Sequence, residues 1–213
     1  VMEKTPGITV YDSPMGGKYF YSRGFRMTGQ YQYDGVPLDI GSSYVQADSF
    51  NSDMAIYDRV EVLRGAAGMM KGAGGTAGAV NFIRKRGEST PHTQLSLSAG
   101  TWDNYRGQVD TGGPLNDSGT LRGRAVLTQQ TRQYYYDIGA RKDQIYYGAL
   151  DFDLSPDTTL GVGLAYEDVD ATPCWGGLPR YADGSDLKLK RSTCLNTAWN
   201  NQRSKRTTWF GDL

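Results

Sequence analysis

The residue pattern predicts a β-rich protein in two parts: a small α+β domain over residues 1–88 and, over residues 89–213, antiparallel strands of a transmembrane β-barrel. Three observations carry this. A compact Gly/Ala-rich elbow joins two β-favouring runs between Asp58 and Arg86. After Gly87-Glu-Ser-Thr-Pro91 the texture changes to segments that alternate apolar and polar residues, the period of a strand with one wet and one dry face. The connections between those segments are short at one end and long at the other, as in outer-membrane barrels.

Composition is consistent with this. Lys and Arg total 23 and Asp and Glu 23, so the net charge is zero and no basic footprint for nucleic acid stands out. Gly 28 and Tyr 15 suit strands joined by tight turns. No apolar run approaches the roughly 20 residues of a spanning helix, so any spanning part must be a barrel. No charged-then-apolar signal segment opens the sequence, and the chain is expected to begin inside a domain.

In chain order, Pro6-Gly-Ile-Thr-Val10 reads as a turn entering a strand, and Ser13-Pro-Met-Gly-Gly17 as a loop. Tyr19-Phe-Tyr-Ser-Arg23-Gly24-Phe25 is an aromatic strand with a turn. Asp34-Gly35 between Gln30-Tyr-Gln-Tyr33 and Val36-Pro-Leu38 is a strong hairpin signal. The pattern is that of a small mixed sheet. Ala47 to Tyr57 has weak helical periodicity and predicts a short helix. Arg59-Val-Glu-Val-Leu63 then enters the elbow and Val80-Asn-Phe-Ile83 leaves it, with Arg84-Lys-Arg86 as a strand terminus. The elbow is no phosphate loop, because Lys71 is followed by Gly72 and not by a hydroxyl residue. Gly72-Ala-Gly74-Gly-Thr-Ala77 fits a loose dinucleotide fingerprint, but no amphipathic helix follows to receive a pyrophosphate.

Beyond Pro91, five segments can be read face by face. Leu95, Leu97 and Ala99 oppose Gln94, Ser96 and Ser98; Tyr105, Gly107 and Val109 oppose Arg106, Gln108 and Asp110. Leu121, Ala125 and Leu127 oppose Arg122, Arg124 and Thr128. Tyr146, Leu150, Phe152 and Leu154 oppose Tyr147, Asp151 and Asp153; Leu160, Val162, Leu164 and Tyr166 oppose Gly161, Gly163 and Glu167. Gly112 to Gly119 and Ser155 to Thr158 read as compact turns, and Tyr134 to Asp143 and Asp168 to about Arg206 as longer loops. Strands of about 10 residues are expected, with Tyr105, Tyr146 and Tyr166 at strand ends in an aromatic girdle. A soluble sandwich alternates too, and remains the alternative on pattern alone.

Tyr57-Asp-Arg-Val-Glu-Val-Leu-Arg-Gly65, the elbow and Val80-Asn-Phe resemble the end of the plug domain of TonB-dependent outer-membrane receptors, and Tyr19 to Phe25 matches a second motif of that family. Within the family the chain looks most like the ferric hydroxamate siderophore receptors of the coprogen and rhodotorulic acid type. The resemblance implies a plug domain, then roughly the first five strands and the start of a sixth of a 22-stranded barrel in the Gram-negative outer membrane. It also implies a ferric hydroxamate ligand held between plug apices and barrel loops, import driven by the TonB-ExbB-ExbD complex, and contact with outer-membrane lipid and lipopolysaccharide. A family member would also carry a signal segment and a TonB box near its mature N-terminus. On the same resemblance, Arg26 and Met27 fall in the first apical loop and Tyr44 in the second. Trp102 and Trp175 are further rings near the expected outer end; each could instead be a girdle or loop-packing residue, Arg26 a solvated loop arginine and Tyr44 a half-buried tyrosine.

Cys174 and Cys194 are the only cysteines. If the chain lies beyond the cytoplasm they are expected to form a disulfide across the long loop; a metal site is the alternative, though two cysteines do not complete a tetrahedral set. The single histidine, His92, reads as an ordinary linker residue. With no ligand cluster of its own, the protein is expected to hold no cofactor and no bare metal, so that iron arrives inside an organic chelate. No catalytic set is visible with one histidine at a linker. An open set of strands leaves unpaired edges, so this stretch is not expected to insert alone, and Thr207 to Leu213 looks like a strand cut short. Competing functions are a TonB-dependent receptor for cobalamin or haem, a soluble β-rich binding module, and a barrel-type outer-membrane enzyme.

Overall fold

The structure, a computed structural model, describes residues 4–12, 18–27, 31–38, 53–65, 77–174, 178–197 and 199–213. The chain divides into two compact units, Val1–Lys85 and Arg86–Leu213.

The first unit is a pair of small sheets. Strands β1 (Ile8–Asp12), β2 (Lys18–Ser22) and β3 (Phe25–Arg26) form an antiparallel sheet in the order β1-β2-β3. Strands β4 (Tyr31–Tyr33), β5 (Val36–Leu38), β6 (Tyr57–Arg64) and β7 (Gly78–Arg84) form a second sheet, ordered β5-β4-β7-β6. It is mixed, as expected: β4 runs parallel to β7 and antiparallel to β5, while β6 and β7 are antiparallel. Asp34 and Gly35 close the β4–β5 hairpin with φ of 50° and 83°, the left-handed pair that a two-residue turn requires. That turn is tied to β7, since the Asp34 carboxylate accepts the Arg84 N–H at 2.9 Å and pairs with its guanidinium. Arg84 is therefore a strand-terminus residue. The interior is aromatic: Tyr33 and Tyr57 lie 5.4 and 5.2 Å from the Phe82 ring, and Val80 is fully buried.

The helix expected from Ala47 to Tyr57 is replaced, where described, by a single 3₁₀ turn, Met54–Ile56, capped by Asp53, whose Oδ1 accepts the Ala55 N–H at 2.8 Å. Tyr57 already belongs to β6, because its ring packs on Phe82. Residues 47–52 and most of the elbow, 66–76, lie outside the described residues.

The second unit is a six-stranded antiparallel meander: β8 (His92–Gly100), β9 (Asn104–Pro114), β10 (Leu121–Gln133), β11 (Ala140–Ser155), β12 (Thr158–Thr172) and β13 (Gln202–Asp212). Its register aligns the apolar residues into one face. Leu95 stands opposite Val109, Val109 opposite Leu127, Leu127 opposite Tyr146, and Leu150 opposite Val162. Leu97, Leu127, Leu150, Phe152, Val162 and Trp209 are all exposed on it. The opposite face is polar and ion-paired: both guanidinium nitrogens of Arg122 reach Asp153 at 2.6 and 2.7 Å, and Arg141 reaches Asp143 at 2.7 Å. An exposed apolar band backed by a charged face is the pattern of a barrel wall.

Three expectations need correction. β11 has 16 residues and β12 has 15, so both exceed the 10 expected. Tyr146 and Tyr166 are mid-strand register partners with rings stacked at 6.0 Å, and only Tyr105 sits near a strand end. The reason is that the strands continue past the apolar band: beyond these tyrosines the same face carries Gln144 and Lys142 on β11, Asp168 and Asp170 on β12, and Lys205 and Arg203 on β13. The tyrosines end the band, not the strands. Finally, the units divide at Lys85/Arg86 and not at residue 88, because Arg86 to Glu88 are bonded to the wall of the second unit.

Candidate ligand-binding site

The connections of the second unit separate its two ends. Residues 115–120 and 156–157 are short turns at one end; 101–103, 134–139 and 173–201 lie at the other. In outer-membrane barrels the long loops face outside.

At the long-loop end aromatic and cationic side chains converge. Trp102 and Asp103 both adopt left-handed φ, 57° and 48°, closing the β8–β9 connection tightly and leaving the indole 57% exposed. The turn is fixed to β10, whose Gln133 donates its backbone N–H to the Trp102 carbonyl and its amide to Asp103, each at 2.8 Å. Tyr135 meets the Trp102 ring edge-on at 6.4 Å and the Tyr136 ring at 5.3 Å, while Tyr134 and Tyr136 stack at 5.0 Å. Arg132 lies over the Tyr134 ring at 4.9 Å and Arg191 over Tyr135 at 5.7 Å. Gly139 makes room, since a Cβ there would run into the Tyr136 ring. Burial pushes the Tyr136 phenol up, with Tyr134 beside it acting in the same direction.

The long loop is fastened to this cluster. Cys174 and Cys194 form the expected disulfide, with Cα atoms 5.8 Å apart. Just before Cys194, the Ser192 carbonyl accepts the Asp137 N–H at 2.7 Å, which holds Arg191 over Tyr135. Rings edged by guanidinium groups can stack against a flat ligand and donate hydrogen bonds to its oxygens. Among the described residues no cluster of His, Cys, Asp and Glu could hold a metal ion.

The structure treats the expected site residues unequally. Trp102 is in the cluster. Arg26 ends β3, half-buried opposite Tyr21, and acts on the Tyr31 phenol, which burial pushes up to about 12 while Arg26 pulls the other way. Met27, 2% exposed, packs in the interior of the first unit. Tyr44 and Trp175 lie outside the described residues. Arg132, Tyr134, Tyr135, Tyr136 and Arg191 were not singled out from the sequence. Their signal was present, because three consecutive tyrosines after an alternating strand cannot all face lipid.

Residues 1–79 match the family model described as TonB-dependent Receptor Plug Domain. Fold and match define the class: a plug domain like that of TonB-dependent receptors is followed by the first strands of a barrel of the Gram-negative outer membrane. It is 91% identical over 213 residues to the ferric-pyoverdine M114 receptor of a Pseudomonas species, strain M114, covering 100% of this chain and 26% of that protein. It is 41% identical over 216 residues to the ferripyoverdine receptor of Pseudomonas aeruginosa, again covering 100% and 26%. The solved pyoverdine outer-membrane receptor of Pseudomonas aeruginosa PAO1, bound to pyoverdine, superimposes with a TM-score of 0.87 at 40% identity, covering 100% of this chain and 31% of that one. The chain thus spans about a quarter of the length of the curated relatives it matches.

The expectation of a coprogen or rhodotorulic acid type of receptor is corrected by these relatives, which are ferric-pyoverdine receptors. The motifs from Tyr19 to Arg86 that suggested it build plug architecture, strands and the turns between them, and so carry the class of protein and not its ligand.

Proposed function

We propose that the receptor to which this chain belongs binds ferric pyoverdine at the cell surface and imports it with energy from the TonB-ExbB-ExbD complex. The observation that carries the reading is the 91% identity, over every residue of the chain, to a ferric-pyoverdine receptor. The cluster of Trp102, Tyr135, Arg132 and Arg191 supports it, being suited to an oxygen-rich ligand that presents planar groups. Arg26 acts as a separate donor to chelate oxygens, and Tyr44 and Trp175 as further rings. Iron enters already chelated, so the receptor needs no metal or cofactor of its own. No catalytic step is assigned; the relatives named above are receptors.

Tryptophan fluorescence of the complete receptor in detergent tests this. Titration with ferric pyoverdine should give saturable quenching, whereas ferric coprogen, cobalamin and haem should not at matched concentration. A saturable response to haem or cobalamin with none to ferric pyoverdine would overturn the reading.

A further inference from the structure

The short-turn end of the same sheet grips the first residues of the second unit. The Arg86 guanidinium pairs with both Asp151 and Asp212, its Nε lying 2.8 Å from Asp151 Oδ1. The other Asp151 oxygen accepts the Gly87 N–H at 2.6 Å. Glu88 pairs with Arg124, which in turn makes a two-pronged contact with Asp110 at 2.8 and 2.9 Å. His92 stands between them, Nδ1 3.2 Å from Glu88 and Nε2 3.6 Å from Asp110.

The wall is shaped for this segment. A Cβ at Gly161 would run into the Arg86 guanidinium. At Gly87 it would sit 2.7 Å from the Arg122 Cβ, and at Gly113, with φ of 151°, 2.8 Å from the Pro91 Cα. Gly87 and Gly113 thus allow a backbone approach that a larger residue would force apart, while at Gly161 the Arg86 side chain would have to move. Arg86, the first residue of the second unit, is already held by the wall.

We propose that Arg86 to His92 form a fixed anchor that stays seated on the β9–β13 wall throughout import, so that the displacement admitting the ligand is confined to the chain before Arg86. The proposal rests on the import reading above. Lifting Arg86 would leave the buried Asp151 carboxylate without its cation and Gly87 without its acceptor, and these bonds would have to fail together. Within the first unit, by contrast, the described β4–β7 ladder spans three positions, Tyr31 to Tyr33, extended by the bonds of the Asp34–Gly35 turn. A pull on the first unit therefore meets its weaker element before the anchor.

A cross-link in the complete receptor tests this. Gly87→Cys with Arg122→Cys places two thiols where a shift of roughly 1 Å gives disulfide geometry. Uptake of radiolabelled ferric pyoverdine by the oxidised pair should equal that of the reduced pair, with parental receptor under the same reductant as the baseline for Cys174–Cys194. Import lost on oxidation and restored by reductant would overturn the anchor. A parental receptor that neither binds nor imports ferric pyoverdine would instead overturn the import reading, independently of any cross-link. Should the pair fail to assemble, Asp151→Asn with Asp212→Asn decides: import should fall about tenfold while energy-independent surface binding is unchanged. Unchanged import, or equal loss of import and binding, would overturn the proposal.

Discussion

The two ends of the six-stranded sheet solve different problems with different side chains. At the short-turn end guanidinium and carboxylate groups meet in fixed two-pronged geometry over glycines, and the segment they hold is backbone-tight. At the long-loop end the contacts are ring edges, ring faces and cations over rings, 4.9 to 6.4 Å apart, with few hydrogen bonds between loops. Charge-assisted hydrogen bonds are directional and fix one arrangement, whereas aromatic contacts tolerate sliding. The sheet therefore holds its own chain at one end and leaves an adaptable surface at the other.

That contrast can be broken. The largest effect is expected from Asp151→Ala, which strips the acceptor of both Arg86 and Gly87. Removing one partner of a buried pair should cost about 3 kcal/mol, at the lower end of such effects because Arg86 is half-exposed and keeps Asp212. Thermal unfolding of the complete receptor in detergent would measure it; an unchanged midpoint would make the two ends alike. Replacing Cys174 and Cys194 by Ser should release the loop that carries Arg191, at a cost of about 2 kcal/mol. Limited proteolysis within residues 178–197 should then accelerate while cleavage near Arg86 does not.

Trp102→Ala should weaken ferric-pyoverdine binding by about 1 kcal/mol, through lost stacking area and the lost edge contact with Tyr135. Equal affinity in a fluorescence-independent binding assay would reduce Trp102 to a turn residue. The smallest effect is a pH response. Because burial raises the Tyr136 phenol above its unfolded value, its neutral form favours the folded loop. That contribution is fully present below about pH 10 and is lost as pH rises through the folded value. Near-ultraviolet dichroism of the tyrosines should therefore change on alkalinisation, and Tyr136→Phe should abolish the part due to this residue.

Much of the fold was legible because strand alternation is a local signal. Leu121 and Arg122, or Phe152 and Asp153, announce opposite faces without knowledge of their partners. Strand ends were not legible, since Lys142 and Gln144 look like loop residues until their register partners Asp170 and Asp168 are known. The disulfide could be read because the chain holds only two cysteines. The anchor could not: Arg86 closes a basic triplet like any strand terminus, and its carboxylate lies 65 residues further on. Trp102 is legible as a lone ring in a short turn, whereas the stacking of Tyr134 and Tyr136 within their loop and the inward turn of Met27, next to Arg26, depend on contacts that no local pattern announces.

The polar continuation of β11 and β12 has a consequence for where capture happens. From Tyr146, where the apolar band ends, β11 runs on to Ala140, a rise of about 20 Å along the strand and roughly 15 Å in height at the usual tilt. The wall therefore stands up as a rim, faced on its outer side with alternating Lys, Asp and Arg, and the tyrosine cluster sits at its lip. On the binding reading proposed above, a ligand arriving at Trp102 or Tyr135 would be met clear of the lipid surface. Its first contact would then be governed by the aqueous reach of the rim and not by the composition of the membrane below.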